Sequence, residues 1–306
     1  MGSPSTRLID EPIQIEAPVE REAGGVASAY LELTKPRITF LVVVTAAAGF
    51  CLGSKAGVNF AHLLYLAGAI ALLSSGIGTL NQYIERDLDG LMFRTRMRPL
   101  PAGRIPPGRA LIFGVILSAA GIGALAVLVN LLTAGLGLLT LVAYLFGYTP
   151  MKTRSSLSTV VGAFPGAMPP LIGWAAATGR IGIEGLILFA ILFLWQFPHF
   201  LAIAWMYRDD YARAGIQMLP VVEPDGRVTG QQIISYTLML LPVSMLPALV
   251  NLAGSVYMLG ALGLGVVFLY FGARAAVVRS KWQARRLLQA SVLYLPALFI
   301  LMVLNP

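Results

Sequence analysis

After Lys35-Pro36-Arg37 the apolar residues of this chain run in long segments, separated by short polar breaks. A mainly apolar run of about 17–25 residues crosses a bilayer as a helix. Nine such runs predict nine spanning helices, at about 38–54, 63–81, 110–129, 132–148, 159–178, 184–206, 231–251, 254–273 and 287–304. The narrowest break is the one from Asn251 to Ser255. Within the spans, Gly76 and Gly78, and Gly260, Gly263 and Gly265, are expected to let helices approach closely. No strand precedes the glycine-rich runs, so they are not read as nucleotide loops.

Residues 1–30 differ from the rest. Asp10, Glu11, Glu16, Glu20 and Glu22 are mixed with Pro, Ser and Gly without an apolar period, which predicts a disordered acidic tail ahead of a transmembrane domain at 31–306. The tail is too acidic for a mitochondrial transit peptide and lacks the apolar core of a signal peptide. Its opening Met-Gly-Ser-Pro-Ser-Thr loosely fits an N-myristoylation pattern.

Composition agrees with the pattern. The chain is 57% hydrophobic and 12% charged, against about a quarter charged in soluble domains, and its mean hydropathy is +0.78. A soluble enzyme and a disordered protein are both excluded. A single cysteine, Cys51, excludes an intramolecular disulfide and a cysteine metal cluster.

The net charge of +8 would hint at nucleic acid in a soluble protein. Here its distribution points to topology instead. With a cytosolic N-terminus, the cytosolic segments are 1–37, 82–109, 149–158, 207–230 and 274–286, and they hold 20 of the 22 Lys and Arg. Only Lys55 and Arg180 fall outside. Such a bias is the positive-inside signature and predicts an all-α, multi-pass protein with its C-terminus outside.

Acids are the informative minority. Of 14, six lie in the first 32 residues and one, Glu184, lies on the outer side. The other seven crowd two cytosolic loops: Glu85, Asp87 and Asp89, then Asp209, Asp210, Glu223 and Asp225. Asn81, Glu85 and Asp89 follow an i, i+4, i+8 spacing, so a helix continuing to Asp89 would line them along one face. Hard oxygen donors of this kind suit magnesium, which pairs one or two carboxylates with substrate phosphates. A solvated helix end, with its acids paired to Arg86 and Arg94, would produce the same pattern.

The second cluster, Tyr-Arg-Asp-Asp-Tyr at 207–211, ends the sixth helix on the same face, and both clusters precede a Leu-Pro step. The two loops form a weak internal echo that could hold two metals across one cavity, since bundle sites are often built from facing helices. Arg94, Arg98, Arg104, Lys152 and Arg154 could supply the cations a diphosphate needs.

These residues carry a resemblance. Leu-Thr-Lys-Pro-Arg (33–37), the long run from Asn81 to Arg104, Tyr-Thr-Pro-Met-Lys (148–152), the run 166–179, Trp-Gln-Phe-Pro-His-Phe (195–200) and the run 207–220 resemble the UbiA superfamily of intramembrane prenyltransferases, and within it the haem-modifying branch. The likeness covers about residues 30 to 303. It departs at Thr153, where a second basic residue is expected before Arg154, and at Ser158, where Asn is expected.

The resemblance implies one bundle of nine helices around a central cavity opening to the cytosolic face, in the inner membrane of a prokaryote. It implies transfer of farnesyl from farnesyl diphosphate to a vinyl group of protohaem IX. Two magnesium ions would be held by Asn81, Glu85, Asp89, Asp209 and Asp210. The diphosphate would lie against Arg94, Arg98, Lys152, Arg154 and Arg208. The haem would be substrate rather than cofactor and would contact His199, Trp195 and Gln196. A downstream haem A synthase is a candidate partner; nucleic acid is not. Two alternatives remain at this point: a related prenyltransferase acting on an aromatic quinone precursor, and a transporter, which would favour ionisable residues near mid-membrane.

Overall fold

The computed structural model describes residues 25–305. Among them it is all-helical, with nine helices long and apolar enough to span a membrane: α1 Pro36–Gly53, α2 Phe60–Leu91, α3 Pro107–Val129, α4 Leu131–Met151, α5 Ser158–Thr178, α6 Ile183–Met206, α7 Arg227–Leu249, α8 Ser255–Val278 and α9 Lys281–Leu304. Each apolar run expected to span is one of these helices. The thin break at 251–254 is real, because Asn251 takes a left-handed backbone conformation at φ 54° and Gly254 caps α8.

Two boundaries differ. The helical domain begins at Val26, since Val26–Leu33 forms a short helix ahead of α1. Residues 26–30 therefore leave the tail to which their polar neighbours had assigned them; Ala29 and Leu33 are buried against Leu100, Ile105 and Ala110. The rest of the expected tail, with its myristoylation pattern, lies outside the described residues. Helix α2 also continues ten residues past its apolar run, to Leu91.

Burial is uneven in a way that bears on the site. The apolar windows of α2, α5 and α6 are 50%, 67% and 56% buried, whereas α1 and α3 bury 22% and turn the rest outward. Aliphatic and aromatic side chains such as Phe40, Ile112 and Val127 are exposed there, as expected of a surface that faces lipid.

Close packing of α5 on α1 needs small residues. A Cβ on Gly173 would lie 1.8 Å from the carbonyl oxygen of Ala46, and one on Gly49 2.1 Å from that of Pro170. On α2, Gly76 is packed as its sequence context predicts, against Ser118 and Gly114 of α3. Gly263 has no such neighbour within 4 Å, so close approach is not its role.

Candidate active site

The extension of α2 is what builds the site. Because the helix runs unbroken to Leu91, Asn81, Glu85 and Asp89 share one face over two turns, and all three are buried. Asp89 is 1% exposed. Buried carboxylates need partners, and each polar group on the stripe has a cation. Lys152 Nζ lies 2.5 Å from Glu85 Oε1. Arg98 donates through one nitrogen to both oxygens of Asp89, at 2.8 and 2.7 Å. Lys35 Nζ donates to Asn81 Oδ1 at 2.7 Å. The solvated-helix alternative fails here, since Arg86 turns away from the stripe to exposed Asp87.

Lys35 was not among the residues singled out by spacing. It precedes Pro36 at the start of α1 in a left-handed conformation, φ 49° and ψ 59°, which turns it back toward α2. Its ammonium is pushed down to about 7, first by burial and then by the nearby Arg98 guanidinium. An isolated lysine before a helix-starting proline gives no periodic signal. Only the quoted Leu-Thr-Lys-Pro-Arg run pointed toward it.

Lys152 owes its position to the end of α4. A wide π-helical turn at Ala143–Tyr148 precedes Thr149–Met151, and such turns recur at functional sites. Thr149 Oγ1 accepts from Asn81 Nδ2 at 3.3 Å, and Lys152 Nζ sits 4.5 Å over the Tyr148 ring. Burial lowers the Lys152 pKa, but Tyr148 and Glu85 outweigh it, so the ammonium is held above its ordinary value.

The second acidic loop docks on the first. Asp210 accepts from the backbone N–H groups of Phe93 and Arg94, both at 3.3 Å, and pairs with Arg213. Arg94 lies over the rings of Tyr207 and Tyr211 and donates to the Tyr211 hydroxyl at 3.2 Å. Gln217 N–H donates to the Lys152 carbonyl at 2.7 Å. Met92, Ala204, Ala214, Ile216 and Met218 form an apolar cluster beneath these contacts.

Several expected contributors are not brought to the stripe. Asp209 is 63% exposed and reaches Lys281 of α9 at 3.0 Å, whose ammonium holds its carboxyl below the usual range. Arg208 lies over Trp205 and beside Asp209. Arg154 is exposed. Asp209 is thus drawn outward by Lys281, and Asp210 is occupied by backbone amides and Arg213.

The expected haem contacts divide between two directions. His199 Nδ1 is 2.8 Å from Ser291 Oγ of α9, and its ring stacks on Trp195 with centroids 4.7 Å apart. Trp195 Nε1 donates to the Ser291 carbonyl at 2.9 Å. Gln196 points instead to α5, donating to the Ala163 carbonyl at 3.1 Å. Its Oε1 fills the space beside Gly166, where a Cβ would come within 2.1 Å.

The donor set on α2 fits magnesium with a diphosphate. Two buried carboxylates and an amide oxygen supply hard oxygens, and three cations stand within contact of them. No group of three or more His, Cys, Asp or Glu that could hold a metal alone is present among the described residues. The donor set is thus one that substrate phosphates would complete.

Residues 42–302 match the UbiA prenyltransferase family. The chain belongs to that family. A protoheme IX farnesyltransferase of Solibacter usitatus is 53% identical over 285 residues, covering 90% of this chain and 98% of that protein. A protein of the same name from Koribacter versatilis is 44% identical over 97% of this chain and 98% of its own length. Among solved structures, a UbiA homologue from Aeropyrum pernix aligns with TM-score 0.68 at 19% identity, over 91% of this chain and 99% of its own. One from Archaeoglobus fulgidus, bound to GPP and Mg2+, aligns at 0.65 with 16% identity, over 90% and 99%. These likenesses fix a UbiA fold, and membership of a prenyltransferase family removes the transporter reading.

Proposed function

We propose that the protein transfers the farnesyl group of farnesyl diphosphate to a vinyl group of protohaem IX, giving haem O and diphosphate. The observation that carries this reading is the buried Asn81–Glu85–Asp89 stripe with a cation on each member. The near-full-length likeness to protoheme IX farnesyltransferases supplies the acceptor.

In this reading Asn81, Glu85 and Asp89 hold magnesium with the diphosphate, one ion or two, and the cations now paired to them turn to the phosphate oxygens. Lys152, Arg98 and Lys35 are the cations in reach, with Arg94 held close by Tyr207 and Tyr211. Bound magnesium would withdraw charge from the bridging oxygen as the bond breaks. Asp210 acts by tethering the 207–220 loop over the site, while Asp209, Arg208 and Arg154 stay outside it.

Release of the diphosphate takes the electron pair of the C1–O bond and leaves an allylic cation. The vinyl π pair forms the new bond to C1. Water then adds to the resulting cation and loses a proton, which leaves the hydroxyethylfarnesyl group. Lys152, Arg98 and Lys35 stabilise the departing charge in a site shielded from water, where such interactions are strong. Separation of these ion pairs would open a cavity toward the acid-rich end.

His199 is the candidate contact to the porphyrin, with Trp195 beneath its ring; Gln196, engaged on α5, holds helices together instead. The excess of Lys and Arg in these loops supports an orientation, within the inner membrane, that has the acid-rich end and the N-terminus on the cytosolic side. A haem A synthase would be the consumer of the product.

Purified protein incubated with farnesyl diphosphate, magnesium and protohaem should yield farnesylated haem by mass spectrometry. Product from an aromatic quinone precursor with none from protohaem would overturn the acceptor. His199→Ala should weaken haem affinity and alter the bound-haem spectrum, and an unchanged spectrum and affinity would remove His199 from the acceptor site.

A further inference from the structure

The end of the bundle opposite the acidic loops holds a second polar feature that the prenyl transfer does not use. A cavity of about 470 Å³ opens where the end of α1, the start of α2, the end of α5 and the start of α6 converge. Its lining includes Lys55, Arg180 and Glu184. Lys55 and Arg180 are the two basic residues left out of the 20-to-2 partition, and Glu184 is the one acid on that side. Three charges that topology does not require thus meet at one place.

Two buried polar atoms in the same lining have no hydrogen-bond partner: Trp174 Nε1 and His62 Nε2. Trp174 is 2% exposed, so its indole N–H is withdrawn from bulk water. A buried donor without an acceptor is costly, and this one lies against the cavity. The site is also shaped around Gly182. A Cβ there would stand 2.7 Å from Glu184 Oε2 and 3.2 Å from Trp174 Nε1, so the carboxylate and the indole donor converge on one point.

We propose that this cavity binds the headgroup of a zwitterionic glycerophospholipid from the leaflet on that side. Lys55, Arg180 and the Trp174 N–H take the phosphate, and Glu184 takes the amine. The acyl chains run down exposed apolar residues such as Phe60, 73% exposed, and Ile183, 61% exposed, the first residues of two of the helices that meet at the cavity. A free phosphate would use the cations and the indole but would leave Glu184 facing an anion. The lipid satisfies both signs of charge and the apolar rim together.

The test uses the full chain purified in detergent, with phosphatidylethanolamine and inorganic phosphate as probes. Native mass spectrometry should find the lipid retained by the unmodified protein. Retention should fall at least tenfold in Lys55→Gln/Arg180→Gln, with prenyl transfer in detergent unchanged as evidence of folding. Trp174→Phe, which keeps the ring packing and removes the N–H donor, should lower retention as well. Thermal unfolding should shift upward with phosphatidylethanolamine and remain unmoved by inorganic phosphate at the same concentration. Equal retention by the double variant, or equal protection by inorganic phosphate, would overturn the proposal.

Discussion

At the scale of single residues, the site pairs each of its two acids with a cation and rests a third cation on a neutral amide. Glu85 has Lys152, Asp89 has Arg98, and the Asn81 oxygen has Lys35. Such pairs can exchange partners when a diphosphate and magnesium arrive, because each cation gains a phosphate oxygen as each acid gains a metal. Lys35 makes the sharpest case. A hydrogen bond to a charged group contributes about 1.5–3 kcal/mol, about a 10- to 100-fold effect on affinity. Lys35→Met should therefore raise KM for farnesyl diphosphate by about tenfold or more, with Lys35→Arg recovering part of the loss. Arg154→Gln, at an exposed position off the stripe, should change it by less than about twofold. Steady-state kinetics on the three variants checks this, and the reverse ranking would exclude Lys35 from the diphosphate site. The spacing of Asn81, Glu85 and Asp89 was legible in the sequence because a helix fixes which residues share a face. Lys35 was not, since its place depends on a left-handed turn before a proline. Nor was the fate of Asp209, which is decided by Lys281, 72 residues away.

At the scale of elements, the nine apolar runs were legible because span length is set by the bilayer. What lay beyond reach were the polar continuations. The last ten residues of α2 form no apolar run and were legible only through the spacing of their acids, and the 207–220 loop folds back through contacts that pair distant segments. Asp210 is the pivot of that loop, holding the Phe93 and Arg94 amides. Asp210→Asn should speed amide hydrogen exchange at 93–94 and across 207–218, while Glu85→Gln leaves exchange there unchanged. Undisturbed exchange in Asp210→Asn, together with weakened magnesium affinity, would make Asp210 a ligand rather than a tether. Helix packing offers an independent contrast. Gly173→Val forces a side chain into the Ala46 carbonyl and should destabilise the protein by about 1–3 kcal/mol or more, the usual cost of overpacking. Gly263→Val, with nothing within 4 Å of its Cβ, should leave the unfolding temperature unchanged.

At the scale of the whole molecule, the distribution of charge has two consequences that meet at one end of the bundle. The basic residues that would orient the chain by the positive-inside rule also cross-link the segments they sit on. Arg104 pairs with Glu32, Lys281 with Asp209, and Arg279 donates to the Asp225 carbonyl. With Lys152–Glu85 and the bonds from the Phe93 and Arg94 amides to Asp210, these contacts tie all five basic segments together at one end of the bundle. The proposed orientation and the proposed site thus draw on the same cations, and the helix Val26–Leu33 belongs to that end through the bond from Gln82 to the Leu33 carbonyl. The far end is fastened differently, by Asn305, which accepts from the Gly254 and Tyr257 amides. Helices that span the bilayer put these two ends on opposite sides of the membrane, and the proposed orientation has the acid-rich end in the cytosol. With Cys51→Ser removing the lone native thiol, Lys55→Cys and Arg154→Cys report on the two ends. A membrane-impermeant maleimide should label Lys55→Cys in intact cells and Arg154→Cys only after permeabilisation. Labelling in the opposite order would invert the molecule, place the acidic site outside, and break the link between its charge bias and its orientation.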